Sequence, residues 1–549
     1  MSRSLSFKSL ARAIRIAHYC EENNISTSEG LEQVADIEIR TDARRASRRE
    51  FLANTGKLAA AGMVGWGASP LRLGIPYPLT GSDVRVAIVG AGLAGLACGD
   101  ELNTNGIRAD LYDANNRAGG RCFSLDGFFP GQVAERGGEF IDNLHKTMLG
   151  YAKQFKLELE DVEKEPPGEV FYFFNGQRFP ESTVVEEFRD LVSAMRDDLR
   201  MVGKPTADSH TEAEVALDLT NLRDYLSARG AGTIASKAIE EAYIAEYGLE
   251  IDQQSCLSFL LFIHADRRSK FRPFGVSSDE RYHIIGGNDQ IARGLRNRLE
   301  GQIQFGMKLV RARKNAGGVI ELAFKSGSKT VSKTYDAVVF AIPFSTLREV
   351  ELDANLGLPA WKLFAINELR YGTNAKMMVG FDRRPWLSQG SSGKSYSDLP
   401  NHQTTWETNP AMATDLRAVL TDYSGGARGA GLDPKQVQTE AMLFLSDLDR
   451  VYPGALAAAS RPAGNLRVHL EHWTSNPFVK GSYTANHPGY FTTIADNEAK
   501  QVGALYFAGE HTSSFYEFQG FMEGAALSGI RAASEILHDV KVGALREPR

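Results

Sequence analysis

The stretch "RVAIVGAGLAGLACGDELNTNGIRADLYD", residues 85–113, constrains the fold of this chain more than any other. Val84 to Val89 form a short β-branched run, which predicts a buried parallel strand. Gly90, Gly92 and Gly95 then make G-x-G-x-x-G, and the apolar residues after them predict a helix. "GIRADLYD" predicts a second strand ending on Asp113. Strand, glycines, helix, strand and acid together form the βαβ fingerprint of a dinucleotide site. Gly90 allows the tight turn, Gly92 lets the backbone approach a pyrophosphate, and Gly95 lets the helix pack closely. The helix N-terminus faces the negative charge, and the Asp113 carboxylate is placed to accept hydrogen bonds from ribose hydroxyls. At 549 residues the chain is too long for one ordinary domain, so this unit explains only part of it.

The residues after Asp113 narrow the dinucleotide. "DANNRAGGRC" resembles the "EARDRVGGR" segment of the flavin amine oxidase family. The resemblance implies FAD as cofactor, with Ala114 and Arg121 among the residues that contact it. Asp113 replaces the usual glutamate and Asn115 replaces an arginine. Arg117 reads as either a cofactor contact or a solvated surface residue, with the surface preferred. Near the C-terminus, "LYFAGEHTSSFYEFQGFMEGAALSGIRAASEIL" resembles the closing signature of the same family. Leu505 to Ala508 predict a short strand, and Gly509 and Glu510 stand at its C-terminal end, where α/β sheets bind ligands. The small-residue helix beyond Phe521 implies that Met522, Glu523, Gly524 and Ala525 bring a partially positive helix end to the flavin.

Because these two motifs lie at opposite ends of the chain, the cofactor domain is expected to be discontinuous. "AERGGEFID" resembles the family's second glycine-pair loop, which places Gly137, Gly138, Glu139 and Phe140 near the flavin. "YHIIGGNDQIARGL" resembles the segment that returns to the cofactor domain, and Leu309 in "IQFGMKLVRA" matches the adenine contact. The expected architecture is α/β: a doubly wound, Rossmann-like FAD domain (82–150, 281–350 and 471–540) with an inserted α+β substrate domain (151–280 and 351–470). Asn175-Gly176 predicts a hairpin turn in the substrate half.

Three positions imply chemistry through the resemblance. Lys376 matches the lysine that holds a water near flavin N5, and a lysine in an apolar strand needs a polar partner. Tyr483 and Phe521 match the two aromatic walls that flank the substrate amine. Ser482 stands where animal monoamine oxidases attach FAD through cysteine, so non-covalent FAD is expected. Phe140 stands where venom-type L-amino-acid oxidases place a carboxylate-clamping arginine. The simplest reading is an amine without a carboxylate, with Arg370 as an alternative clamp; Glu139 and Glu246 read first as solvated or salt-bridged carboxylates, and second as partners for another cationic group. The implied reaction is oxidative deamination of a primary amine or L-amino acid, with dioxygen reduced to hydrogen peroxide. Rival readings are a desaturase or porphyrinogen oxidase with the same cofactor motifs, an NAD-linked dehydrogenase, and a flavin-binding protein with a decayed substrate site.

The segment "ASRREFLANTGKLAAAGMVGWGASP", Ala46 to Pro70, has a basic pair, an apolar run too short to span a membrane, and a small-residue end. "SRREFL" resembles the twin-arginine export signal. The expectation is export to the periplasm or outside, cytoplasmic residence if the signal is unused, and residues 1–69 lying outside the catalytic fold. Residues 3–19 are basic, acid-free and apolar at helical spacing, which suits a small amphipathic helix or a transit-like segment. The net charge of -6 argues against a nucleic-acid partner, and four irregularly spaced cysteines give neither a metal motif nor a disulfide framework. A homodimer is a further expectation.

Overall fold

A computed structural model describes residues 5–35, 84–162, 168–265, 280–409 and 416–545. The elements that build the site are, in chain order, α1 (Leu5–Asn23), β1 (Val86–Val89), α2 (Leu93–Thr104), β2 (Asp110–Asp113), α3 (Lys146–Gln154), β3 (Glu169–Phe174), β4 (Gln177–Phe179), α4 (Glu181–Ala194), α5 (Thr233–Tyr247), β5 (Ile303–Phe305), β6 (Ala337–Phe340), β7 (Ala375–Phe381), β8 (Ser391–Leu399), β9 (His402–Glu407), β10 (Ala418–Ser424), β11 (Val468–His472), β12 (Leu505–Phe507) and α6 (Met522–Lys541).

Two sheets alternate along the chain. The first has the order β12-β6-β1-β2-β5 with every pairing parallel. All residues of β1, β6 and β12 are buried, as expected of parallel strands covered on both faces. α2 and α6 pack on it and meet closely at Gly529, where a Cβ would lie 2.1 Å from the Ala94 carbonyl oxygen. The second sheet has the order β11-β7-β10-β9-β8-β3-β4 and is antiparallel except between β8 and β3. Asn175 and Gly176 both take positive φ and close the β3–β4 hairpin, as a two-residue turn of this type requires.

The N-terminal segment departs from expectation. Residues 5–35 are part of the fold and do not lie outside it. Leu10, Ala13, Ile14, Ala17 and Cys20 of α1 are buried in the same apolar cluster as Val184, Val185 and Phe188 of α4. Arg12 pairs with Glu181, and Arg189 donates to Glu21 at 2.6 Å. Their spacing puts these apolar residues on one helix face, and burial of that face outweighs the basic, leader-like composition. The stretch Ala46 to Pro70 lies outside the described residues.

Candidate active site

The main cavity of the described residues runs from the C-terminal ends of β1, β2 and β6 to one face of the antiparallel sheet. Its first end is made by backbone. Gly90 has a φ of 109°, and a Cβ there would lie 2.5 Å from the Ala341 oxygen. A Cβ at Gly95 would lie 1.8 Å from the Gly90 oxygen, so Gly95 packs α2 on the turn and does not line the cavity. Gly92 does line it, with its nearest neighbour on the Cβ side 3.9 Å away. That open approach at a helix N-terminus suits a pyrophosphate. Asp113 lines the cavity, and its carboxylate accepts from the amides of Ala91 at 2.7 Å and Asn115 at 2.8 Å. Burial raises its pKa. Those two bonds fix the loops around it and leave lone pairs for a ribose. Ala114 and Leu309 line the same end.

Arg117 is corrected from a surface residue: it lines the cavity, donates to the Gly120 carbonyl at 2.5 Å and lies 3.6 Å over the Phe123 ring. Arg121 donates to Glu510 at 2.9 Å and to the Ser482 carbonyl at 2.6 Å, tying together segments 389 residues apart. Thr484 donates to the other Glu510 oxygen at 3.0 Å. Gly137 and Gly138 bring their loop against Arg121 and Met522, and both line the cavity with Gly509, Met522 and Ala525.

Glu523 and Gly524 are corrections. Neither lines the cavity. The Glu523 carboxylate accepts from the amides of Thr147 and Met148, each at 2.8 Å, and so caps the N-terminus of α3. His145, the residue at that cap position, supplies no side-chain cap bond of its own. A Cβ at Gly524 would lie 2.0 Å from the Phe518 oxygen, so this glycine serves packing. The helix turns about 100° per residue, which points Met522 and Ala525 to the cavity and their two neighbours away.

The second end is made by side chains. Lys376 and Tyr423 are cross-strand partners on β7 and β10, and Trp406 on β9 lies diagonal to Tyr423. All three line the cavity with Phe140, Tyr483 and Phe521. Lys376 is buried, and its ammonium donates to Glu139 Oε2 at 2.7 Å, the Gly137 carbonyl at 2.8 Å and the Glu135 carbonyl at 3.3 Å. Its three donors are therefore held by protein oxygens, which leaves none for the expected water in this arrangement. Trp406 Nε1 donates to Glu139 Oε1 at 3.0 Å. The Tyr483 hydroxyl bonds that of Tyr423 at 2.8 Å and donates to the Glu246 carbonyl. Arg370 is exposed and does not line the cavity, and neither does Glu246. Sequence reasoning missed Trp406 and Tyr423.

The fold also contains a chain of hydrogen bonds that the sequence did not signal. Ser395 bonds His402 at 3.0 Å, and His402 bonds Asp422 at 2.9 Å. All three are buried within the sheet away from the cavity, so this Ser-His-Asp arrangement is a core network without substrate access.

Glycine approach, a helix end, the Asp113 carboxylate and the Arg121–Glu510 pair together fit FAD. Comparison with known proteins agrees. The flavin containing amine oxidoreductase family matches residues 93–537. The putative L-amino-acid oxidase YobN of Bacillus subtilis (strain 168) is 26% identical over 473 residues, covering 82% of this chain and 94% of the relative. An L-amino-acid oxidase of Pseudechis australis is 23% identical over 476 residues, covering 83% and 87%. Among solved structures, cyclohexylamine oxidase from Brevibacterium oxydans IH-35A superposes with a TM-score of 0.70 at 21% identity, covering 84% of this chain and 100% of that one. Putrescine oxidase bound to putrescine gives 0.67 at 18%, covering 83% and 99%. The family match begins in the glycine-rich turn's helix and ends in the last helix, so the chain belongs to the flavin-containing amine oxidoreductase family, with FAD as its cofactor.

Proposed function

We propose that the protein oxidises a primary amine whose nitrogen-bearing carbon carries no carboxylate, giving an imine that hydrolyses to an aldehyde and ammonia, with dioxygen as the final acceptor. The observation behind this choice is the substrate end of the cavity. Phe140, Trp406, Tyr423 and Tyr483 cluster there, Phe521 lines the same cavity, and the lysine at this end is already paired with Glu139. A substrate carboxylate brought there finds aromatic faces and, among the described residues, no uncommitted cation. Bound FAD supplies the two-electron acceptor. The chain's own residues bind and orient. Tyr483 and Phe521 present ring faces to the amine, and the bonds from the Tyr483 hydroxyl to Tyr423 and Glu246 fix its ring. Met522 and Ala525 bring the N-terminal end of α6 to the cofactor, where its partial positive charge favours an anion.

An L-amino acid is the second reading, because YobN and the Pseudechis australis protein are both named for that activity. A peroxide assay over both substrate classes, paired with anaerobic bleaching of the flavin, separates them. Amines are expected to bleach it and L-amino acids are not. Bleaching by L-amino acids alone overturns the choice of substrate, and bleaching by neither overturns the oxidase. FAD is proposed to be non-covalent. Cys122 is the cysteine at the cavity, and burial raises its thiol pKa, which disfavours the thiolate. Acid precipitation is expected to release all the flavin. Export by the twin-arginine route is proposed from Ser47 to Leu52 alone. Removal of a leader ending near Pro70 would take residues 5–35 with it, so intact mass after fractionation decides whether the segment is used and kept.

A further inference from the structure

The reacting end of the cavity holds an ion pair that the proposed chemistry does not by itself require. Lys376 on β7, Glu139 in the loop after Gly138 and Trp406 on β9 come from three separate segments. Glu139 is 6% exposed and divides its carboxylate between two donors, Lys376 Nζ at 2.7 Å and Trp406 Nε1 at 3.0 Å. Glu135 offers Lys376 only its backbone carbonyl. Its own carboxylate faces the Asn288 amide at 2.7 Å and the Ser124 hydroxyl at 2.8 Å. Glu139 is thus the acidic side chain that touches Lys376, and it is buried, so solvent does little to screen the pair.

We propose that Glu139 and Trp406 are positioning residues that hold Lys376 at the reacting end as half of a neutral pair, and so set the electrostatic potential felt by the flavin. The proposal rests on the reading that the reacting edge of FAD lies at this end of the cavity. A reduced flavin carries more negative charge than an oxidised one. An uncompensated ammonium beside it favours reduction, and an uncompensated carboxylate opposes it. With Glu139 present the two charges cancel at close range. Trp406 acts through Glu139: its indole N–H occupies the second oxygen and fixes the carboxylate against Lys376.

The test is the midpoint potential of the bound flavin, measured by dye equilibration on purified holoenzyme, with no substrate needed. Glu139→Gln is expected to shift it upward, Lys376→Met downward, and the double variant back close to the wild-type value. Trp406→Phe is expected to shift it upward by less than Glu139→Gln. An unchanged or lowered potential in Glu139→Gln overturns the proposal. So does a double variant further from wild type than either single one. If Glu139→Gln retains no flavin, Trp406→Phe decides by the same sign. Loss of flavin from both variants also counts against the proposal, because a pair that only tunes Lys376 is not needed for retention. Failure here is separable from failure of the function. A chain whose flavin neither amines nor L-amino acids bleach overturns the oxidase reading and leaves these potentials valid. An active oxidase with unshifted potentials overturns only the pairing.

Discussion

The two ends of the cavity are built by different means. The first end is framed by backbone, with Gly90 in a positive-φ turn, Gly92 with open space before it and the first turn of α2, and adds the Asp113 carboxylate and the Arg121–Glu510 pair. The substrate end is built by side chains from separate strands, with Lys376, Trp406 and Tyr423 drawn together by sheet register. Backbone recognition demands particular residues at fixed spacing, whereas side-chain recognition demands only that register bring the right groups together.

The contrast is sharpest within the fingerprint itself. Gly95→Val is expected to abolish both soluble expression and FAD content, since even a Cβ would meet the Gly90 oxygen at 1.8 Å. Gly92→Ala should leave the fold intact and weaken only FAD retention, because its Cβ meets nothing closer than 3.9 Å and points toward the cofactor's place. Flavin absorbance per folded protein, with circular dichroism, separates the two outcomes. Equal damage from both would break the distinction between a packing glycine and an approach glycine.

Deletion of residues 1–35 should be the next most severe change, and it strikes the other half. It exposes the surfaces that bury Leu10, Ile14, Ile16 and Val34. At roughly 1.5–3 kcal/mol for each side chain, the loss is about 6–12 kcal/mol, comparable to the whole stability of a typical domain. Insoluble or molten protein is expected. A deletion variant that melts like wild type would return these residues to the status of an extension.

The same contrast explains what was legible. The cofactor end announced itself because Gly90 and Gly95 answer local steric demands and Gly92 leaves an open approach between them, all at fixed spacing. Trp406 in "HQTTWETN" looks like any strand aromatic, and nothing nearby says that its indole will reach Glu139, 267 residues away. Glu523 was read with its motif neighbours, yet helical rotation turns its carboxylate from the cavity to the amides of α3. α1 did show apolar residues at helical spacing. Its basic, acid-free composition also suits a targeting segment, and only the packing of α4 against it decides between the two.

At the substrate end, Phe140→Arg should keep full FAD content and lower kcat/KM for amines at least about tenfold, equivalent to ~1.4 kcal/mol, by setting a guanidinium near the arriving cation. Gain of activity toward L-amino acids would strengthen the reading of this position as the selector. Glu523→Ala tests the reassigned carboxylate. It removes the acceptor of two helix amides, so a loss of about 1–2 kcal/mol is expected by denaturant titration, with FAD content unchanged. Loss of FAD at unchanged stability would restore Glu523 to the cofactor.

A further effect is expected beside Lys376, at Glu135, which does not itself line the cavity. Its carbonyl faces Lys376 while its carboxyl is turned into the core, and burial pushes the carboxyl pKa up from 4.5 to about 7. The amide of Asn288 and the hydroxyl of Ser124 offset that burial only in part. The folded protein therefore keeps this proton to a higher pH than the unfolded chain does. Between pH 4.5 and 7 the folded state binds more protons, so stability falls as pH rises through this window. The contribution is complete below pH 4.5 and lost above pH 7. Glu135→Gln keeps the shape and removes the proton. Thermal melts of the two proteins should diverge as pH rises from 5 to 8, with the variant gaining about 1–3 °C relative to wild type. Parallel melting curves across that range would mean that the Glu135 carboxyl stays ionised in the core, held there by the Asn288 amide and the Ser124 hydroxyl.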